Sequence, residues 1–109
     1  MLKNIFCVFL IAIALFLVNT SPVLADIQGE QIFTANCAGC HPKGGNIIRR
    51  GKNLKARALK RNQLDSQDAI VSLVTNGKGI MSAYGDRLTA EEIAAVSNYV
   101  LEQAANNWR

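Results

Sequence analysis

Cys37, Cys40 and His41 fall within five residues of the stretch NCAGCHPKGG, which runs from Asn36 to Gly45. They are the only cysteines outside an N-terminal apolar run and the only histidine in the chain. Three chemistries use thiols and an imidazole this close together. A structural zinc site wants four ligands, and three are offered here unless a carboxylate joins them. A dithiol redox pair of the thioredoxin kind sits in a βαβ setting, which this sequence lacks. Cys37-Ala38-Gly39-Cys40-His41 also spells C-x-x-C-H, the pattern of covalent haem attachment. Thiols at i and i+3 lie on one side of a helical turn, where each can add to one vinyl group of a single porphyrin. His41 follows at once, so the same turn presents an imidazole to the iron. The haem reading accounts for all three residues.

A second iron ligand decides between electron transfer and ligand chemistry. Met81 is the only methionine after the initiator and lies 40 residues beyond His41. An isolated methionine usually fills a gap in a core. The surrounding GKGIMSAYG is too rich in glycine for a core segment, so a thioether on the other haem face is the expectation. His/Met ligation raises the potential and closes the iron to small ligands. The alternative is a five-coordinate haem that binds gas or peroxide.

Length and charge frame the site. Ile5 to Val18 is an unbroken apolar run of 14 residues behind Lys3, short for a membrane span and typical of a signal-peptide core. The expected cut follows Ala25, with an uncleaved anchor as the alternative. Residues 1–25 are then a signal peptide and residues 26–109 one domain of 84 residues. A domain that small has little core with which to offset chain entropy, and a covalent cofactor would staple it. Cys7 leaves with the signal, so no disulfide framework is available. The domain carries eleven basic and eight acidic residues, net +3. Eight of the bases lie between Lys43 and Arg61, where there is no acid. That segment is either a solvated face or a guide toward an acidic partner. An exported chain with no aromatic residues among its bases makes a poor nucleic-acid binder. No stable membrane insertion is expected after cleavage.

The elements that must position these residues read as helices. Asp26 can cap a first helix reaching Asn36 or Cys37. Gly29 lies inside it, which costs about 0.5–1 kcal/mol against alanine, so either a second helix crosses closely there or the first turn is loose. Lys43 to Asn53 reads as loop, and Leu54 to Arg61 as a short basic helix. Asp65 or Ser66 starts another through Asn76, with Ile70, Leu73 and Val74 at i, i+3 and i+4 and Gly77 as its stop. Gly77 to Arg87 is a second loop. Thr89-Ala-Glu-Glu92 is a capping box. The helix it opens carries Ile93, Val96, Val100 and Ala104 on one stripe, widened by Tyr99 and Leu101, to about Asn106. Alternating strand patterns are absent, so the fold class is all-α.

These residues together resemble cytochrome c6, the c-type cytochrome of cyanobacterial and algal thylakoid lumens. The likeness runs through GEQIFTANCAGCH, GGN, KNL and AIVSLVTNGKGIMSAYGDRLTAEEIAAVSNYVLEQA to the tryptophan at 108. The resemblance implies a class I cytochrome c fold of four to five helices around one covalent haem c. It implies thioether links at Cys37 and Cys40, with His41 and Met81 as axial ligands. It also implies that the first and last helices cross near Gly29, Phe33 and Tyr99. By the same resemblance the chain is no enzyme. It would carry single electrons from cytochrome f of the cytochrome b6f complex to photosystem I, and Arg87 would match a docking arginine. The location implied is the thylakoid lumen, with the periplasm open.

Two positions depart from the family pattern. Leu73 stands in the haem environment where typical members have glutamine, and Ser82 stands where proline follows the ligand methionine. Second-shell changes of this kind tune redox potential. In this family the loss of that glutamine goes with a lower potential. The departures keep open a low-potential lumenal carrier with other partners, and behind it a haem-based ligand sensor.

Overall fold

The computed structural model describes Asn4 and residues 22–109. The expected signal-peptide core, Ile5 to Val18, lies outside the described residues. Among the described residues four helices occur in the order α1 (Pro22–Asn36), α2 (Ala56–Arg61), α3 (Gln67–Asn76) and α4 (Ala90–Ala105). Two 3-10 turns, Pro42–Gly44 and Arg50–Lys52, shape the segment between α1 and α2. Among the described residues there is no strand, and the one isolated bridge pairs Lys78 with Met81. The all-α reading stands.

Helix starts follow local chemistry, with two corrections. Ser66 accepts from the Ala69 N–H at 3.2 Å and caps α3. Thr89 and Glu92 form the reciprocal capping box of α4, at 3.0 and 3.1 Å. Asp26, however, does not cap α1, because it lies inside a helix described from Pro22 onward. α2 starts at Ala56, not Leu54, because Lys55 is extended at ψ 151 and stands as its N-cap residue. Gly77 stops α3 as expected, at φ 68 with its N–H on Leu73 O.

The core lies where α1, α3 and α4 meet. Ile32, Phe33, Leu59, Ile70, Val74, Ile93, Val96, Val100 and Ala104 form one buried cluster. It holds the whole α4 stripe read from the sequence. Each large aliphatic side chain in it stabilises by about 1.5–3 kcal/mol through removal from water. Ser97 is fully buried on α4 and donates to Ile93 O at 2.7 Å, which satisfies the hydroxyl. α1 crosses α4 at Gly29, where a Cβ would lie 2.6 Å from Ala95 O and 2.8 Å from Tyr99 Cβ. The glycine therefore marks a close crossing and not a loose turn. Phe33 stacks on Tyr99 at 5.4 Å and on Trp108 at 5.1 Å, which seals the crossing.

Candidate haem site

The last turn of α1 runs on into the cysteine motif. Cys37 N–H and Ala38 N–H both bond to Phe33 O, and His41 N–H bonds to Cys37 O at 2.9 Å. Both cysteines and the histidine therefore sit on one hydrogen-bonded turn. Cys37 is half-buried against the core, Cys40 is exposed, and both are free thiols. Burial, with the neighbouring Cys40 adding to it, pushes the Cys37 thiol up to about 11. A thiol raised in this way is the opposite of the activated thiols of dithiol exchange. Among the described residues no group of three or more His, Cys, Asp or Glu is arranged to hold a metal ion. Neither the redox-pair nor the zinc reading gains support.

His41 is oriented by its own loop. Its Nδ1 lies 2.7 Å from Gly45 O. A carbonyl oxygen only accepts, so Nδ1 carries the proton and Nε2 keeps its lone pair for a metal. This partner is not legible in the sequence, because nothing marks which carbonyl a loop will turn back toward a ring.

Met81 is fixed just as firmly. Lys78 and Met81 exchange both backbone hydrogen bonds at 3.0 Å, closing a tight turn over Gly79 and Ile80. Met81 is half-buried and packs against the core cluster, as Cys37 does. Tyr84 connects the two halves of the site: its hydroxyl donates to Asn36 O at 3.0 Å, one residue before Cys37. Its backbone N–H bonds to Val74 O at 2.8 Å. Sequence reading passed over Tyr84, whose only signal was a polar-tipped aromatic in the methionine loop. Leu73 is half-buried on α3 but stands outside the core cluster that takes Ile70 and Val74. Arg87 is exposed, with its guanidinium carbon 4.5 Å above the Tyr84 ring centroid.

The basic segment is built and not loose. Lys52 Nζ donates to Asn62 Oδ1 at 2.9 Å, and Arg61 Nη2 and Asn62 Nδ2 both donate to Gly51 O at 3.1 Å. These bonds clamp the Arg50–Lys52 turn to the end of α2. Arg49, Arg50, Lys52, Lys55, Arg57, Lys60 and Arg61 all remain exposed.

The residues fit a covalent haem on three counts: two free thiols on one turn, an imidazole with its Nδ1 proton engaged, and a thioether pinned on a second loop tied to the first. A helical fold carrying that arrangement defines the class I c-type cytochromes. The comparisons with known proteins agree. The family model described as "Cytochrome C oxidase, cbb3-type, subunit III" matches residues 25–100. The "Cytochrome c6-like" protein of Nostoc sp. (strain PCC 7120) is 57% identical over 99 residues, 87% of this chain and 89% of that protein. The crystal structure of cytochrome c6C from Synechococcus sp. PCC 7002 is 64% identical, with TM-score 0.71, covering 72% of this chain and 96% of that one. Cytochrome c6 from the diatom Phaeodactylum tricornutum is 46% identical, with TM-score 0.74, covering 76% and 98%. The chain belongs to the cytochrome c6 family. It is a monohaem c-type electron carrier with one covalently attached haem c, and not an enzyme.

Proposed function

We propose that this chain carries single electrons from cytochrome f of the cytochrome b6f complex to photosystem I in the thylakoid lumen. Cys37 and Cys40 would hold haem c through thioether links, and His41 and Met81 would ligate its iron. The observation that carries the electron-carrier part of this reading is the 2.7 Å bond from His41 Nδ1 to Gly45 O. It leaves Nε2 as an oriented, strengthened donor on one loop, while Tyr84 ties the Met81 loop to the other. Haem c, when bound, supplies a one-electron iron couple. The protein's part is to hold both ligands still through the change of charge, because a ligand set that barely reorganises suits fast transfer. The two backbone bonds of Met81 and the Gly45 bond of His41 do this at the two ligand positions.

The exposed basic ridge from Arg49 to Arg61 steers acidic faces of partners toward the haem loop. Its link to that loop is direct, since Leu54 bonds to Gly44, three residues after His41. Arg87, braced over Tyr84, is a second docking group on the methionine side.

A second reading keeps the electron-carrier chemistry but changes the partners. Leu73 favours it, because an aliphatic side chain replaces an amide beside the haem, and relatives at 64% and 52% identity are named cytochromes c6C and c6B. The midpoint potential of the purified holoprotein, measured beside a typical cytochrome c6, tests the choice. A matching value supports the cytochrome f to photosystem I route. A value well below it makes reduction by cytochrome f unfavourable and points to a low-potential lumenal donor. Among the described residues no helix is long and apolar enough to cross a membrane.

A further inference from the structure

Trp108 lies far from the cysteine motif in sequence, yet three contacts connect it to the loop that aims His41. Its Nε1–H donates to Leu54 O at 3.0 Å. Leu54 N–H in turn donates to Gly44 O at 2.7 Å, and Gly44 N–H donates to His41 O at 3.1 Å. Gly45, the next residue, holds the His41 ring through its carbonyl and bonds its own N–H to Pro42 O at 2.9 Å. The indole also lies flat against Gly44: a Cβ there would come within 2.3–2.5 Å of three indole atoms. Gly44 is buried and at φ 76, so only glycine both adopts this backbone and admits the ring.

The chain spends conformational strain to deliver this contact. Asn107 and Trp108 both sit at positive φ, 57 and 56, which L side chains rarely adopt. Such outliers persist where the surroundings over-determine them. Here Trp108 N–H returns to Gln103 O at 2.8 Å, and the ring is wedged against Phe33 at 5.1 Å and Tyr99 at 6.1 Å. A half-buried indole N–H needs an acceptor, and the one it takes is the carbonyl of the residue that holds Gly44.

We propose that Trp108 is a positioning residue for the axial imidazole: it braces Leu54 and Gly44 and thereby fixes the Gly45 carbonyl that orients His41. The proposal rests on His41 being the iron ligand. A braced carbonyl keeps the Nδ1–H···O bond short, which raises the basicity of the ring and favours the oxidised iron. Loosening the brace therefore raises the midpoint potential.

The test uses Trp108→Phe in the reduced holoprotein. It keeps an aromatic ring and removes the N–H. Hydrogen exchange at His41 Nδ1–H and Leu54 N–H should quicken about fivefold or more, the loss of one hydrogen bond. Val96 in α4 should keep its protection, and the potential should rise. Uniformly faster exchange through α4, or an unchanged His41 Nδ1–H, would mean that Trp108 merely fills the core and would overturn the proposal. Should the variant lose its haem, exchange in the wild type under low denaturant gives the same decision. Trp108 Nε1–H, Leu54 N–H and His41 Nδ1–H then share one opening event if the brace is real, and open separately if it is not. The wild-type spectrum also separates the two layers of the argument. His41 ring protons without the large porphyrin-induced displacement would show that another group ligates the iron, and that result removes the reading beneath the proposal and the proposal with it.

Discussion

Gly29 on α1 and Ala95 on α4 meet backbone to backbone: a methyl group on Gly29 would reach to 2.6 Å from the Ala95 carbonyl oxygen. The obstacle is main chain and cannot rotate away. Gly29→Ala gains helix propensity of about 1 kcal/mol but must spread the crossing, and overpacking of this kind costs typically about 1–3 kcal/mol. Packing against Tyr99 Cβ at 2.8 Å puts the cost at the upper end. The expected outcome is a net loss of about 1–2 kcal/mol, or roughly 4–16 °C in Tm for a domain of this size. Denaturant unfolding of the holoprotein measures it. Equal or greater stability would mean that the helices separate at no cost.

Met81 closes the iron if it ligates it. Met81→Ala should let the reduced protein bind carbon monoxide, which the wild type should exclude. The oxidised protein should lose the methionine-sulfur charge-transfer band. Since the thioether raises the potential, its removal should lower the midpoint by on the order of 100 mV. Absorption spectra with and without carbon monoxide check both points. A wild-type protein that binds the gas as readily as the variant would return the chain to the ligand-sensor reading.

The sequence exposed those features that depend on residue type and short spacing. C-x-x-C-H, the capping box at Thr89, the stripe Ile93–Val96–Val100–Ala104 and the stop at Gly77 are all local patterns with local causes, and each appears in the structure. Gly29 was legible as a question, because a glycine inside a helix needs a reason. Asp26 has the chemistry of a helix cap yet lies inside α1, because a cap residue is marked by side-chain type alone and the residues before it can continue the helix. Contacts that depend on long-range closure left no trace. Tyr84 reaches Asn36 across 48 positions, and Trp108 reaches Leu54 across 54. No periodicity encodes a hydrogen bond to a backbone carbonyl that only tertiary folding brings near. For the same reason His41 was legible as a ligand, while Gly45, which sets its tautomer, was not.

Leu73 sits half-buried one turn beyond Ile70, outside the hydrophobic cluster, where typical members of the family have glutamine. An apolar pocket disfavours the extra positive charge of the oxidised iron, so polarity alone would give the glutamine form the lower potential. The family pattern runs the other way, which requires the amide's hydrogen bonding to outweigh its polarity. Leu73→Gln should therefore raise the midpoint. A hydrogen bond worth about 1–1.5 kcal/mol more in the reduced state corresponds to roughly 40–65 mV for one electron. Potentiometric titration of both proteins settles the sign. A fall would assign the effect to polarity, and no change would leave Leu73 outside the haem environment.

The ridge of Arg57 and Lys60 on α2 and the clamped turn before it should act on rates and not on potential. Both side chains are exposed. Charges steer encounter over a Debye length, about 10 Å at 0.1 M salt, so the second-order rate with the physiological partner should fall with ionic strength. Arg57→Gln with Lys60→Gln should cut the low-salt rate by roughly 3–10-fold and flatten its salt dependence. Gln28→Glu with Asn98→Glu is the control, because it lowers net charge by the same two units at exposed positions elsewhere on α1 and α4. Flash-induced electron transfer to photosystem I particles and stopped-flow reduction by the lumenal domain of cytochrome f provide the rates. If the ridge steers, its variant slows and the control does not. If both pairs slow the reaction equally, net charge is what matters and the ridge is solvated surface. A rate that climbs with salt would mean that the partner presents a basic face to this side of the molecule.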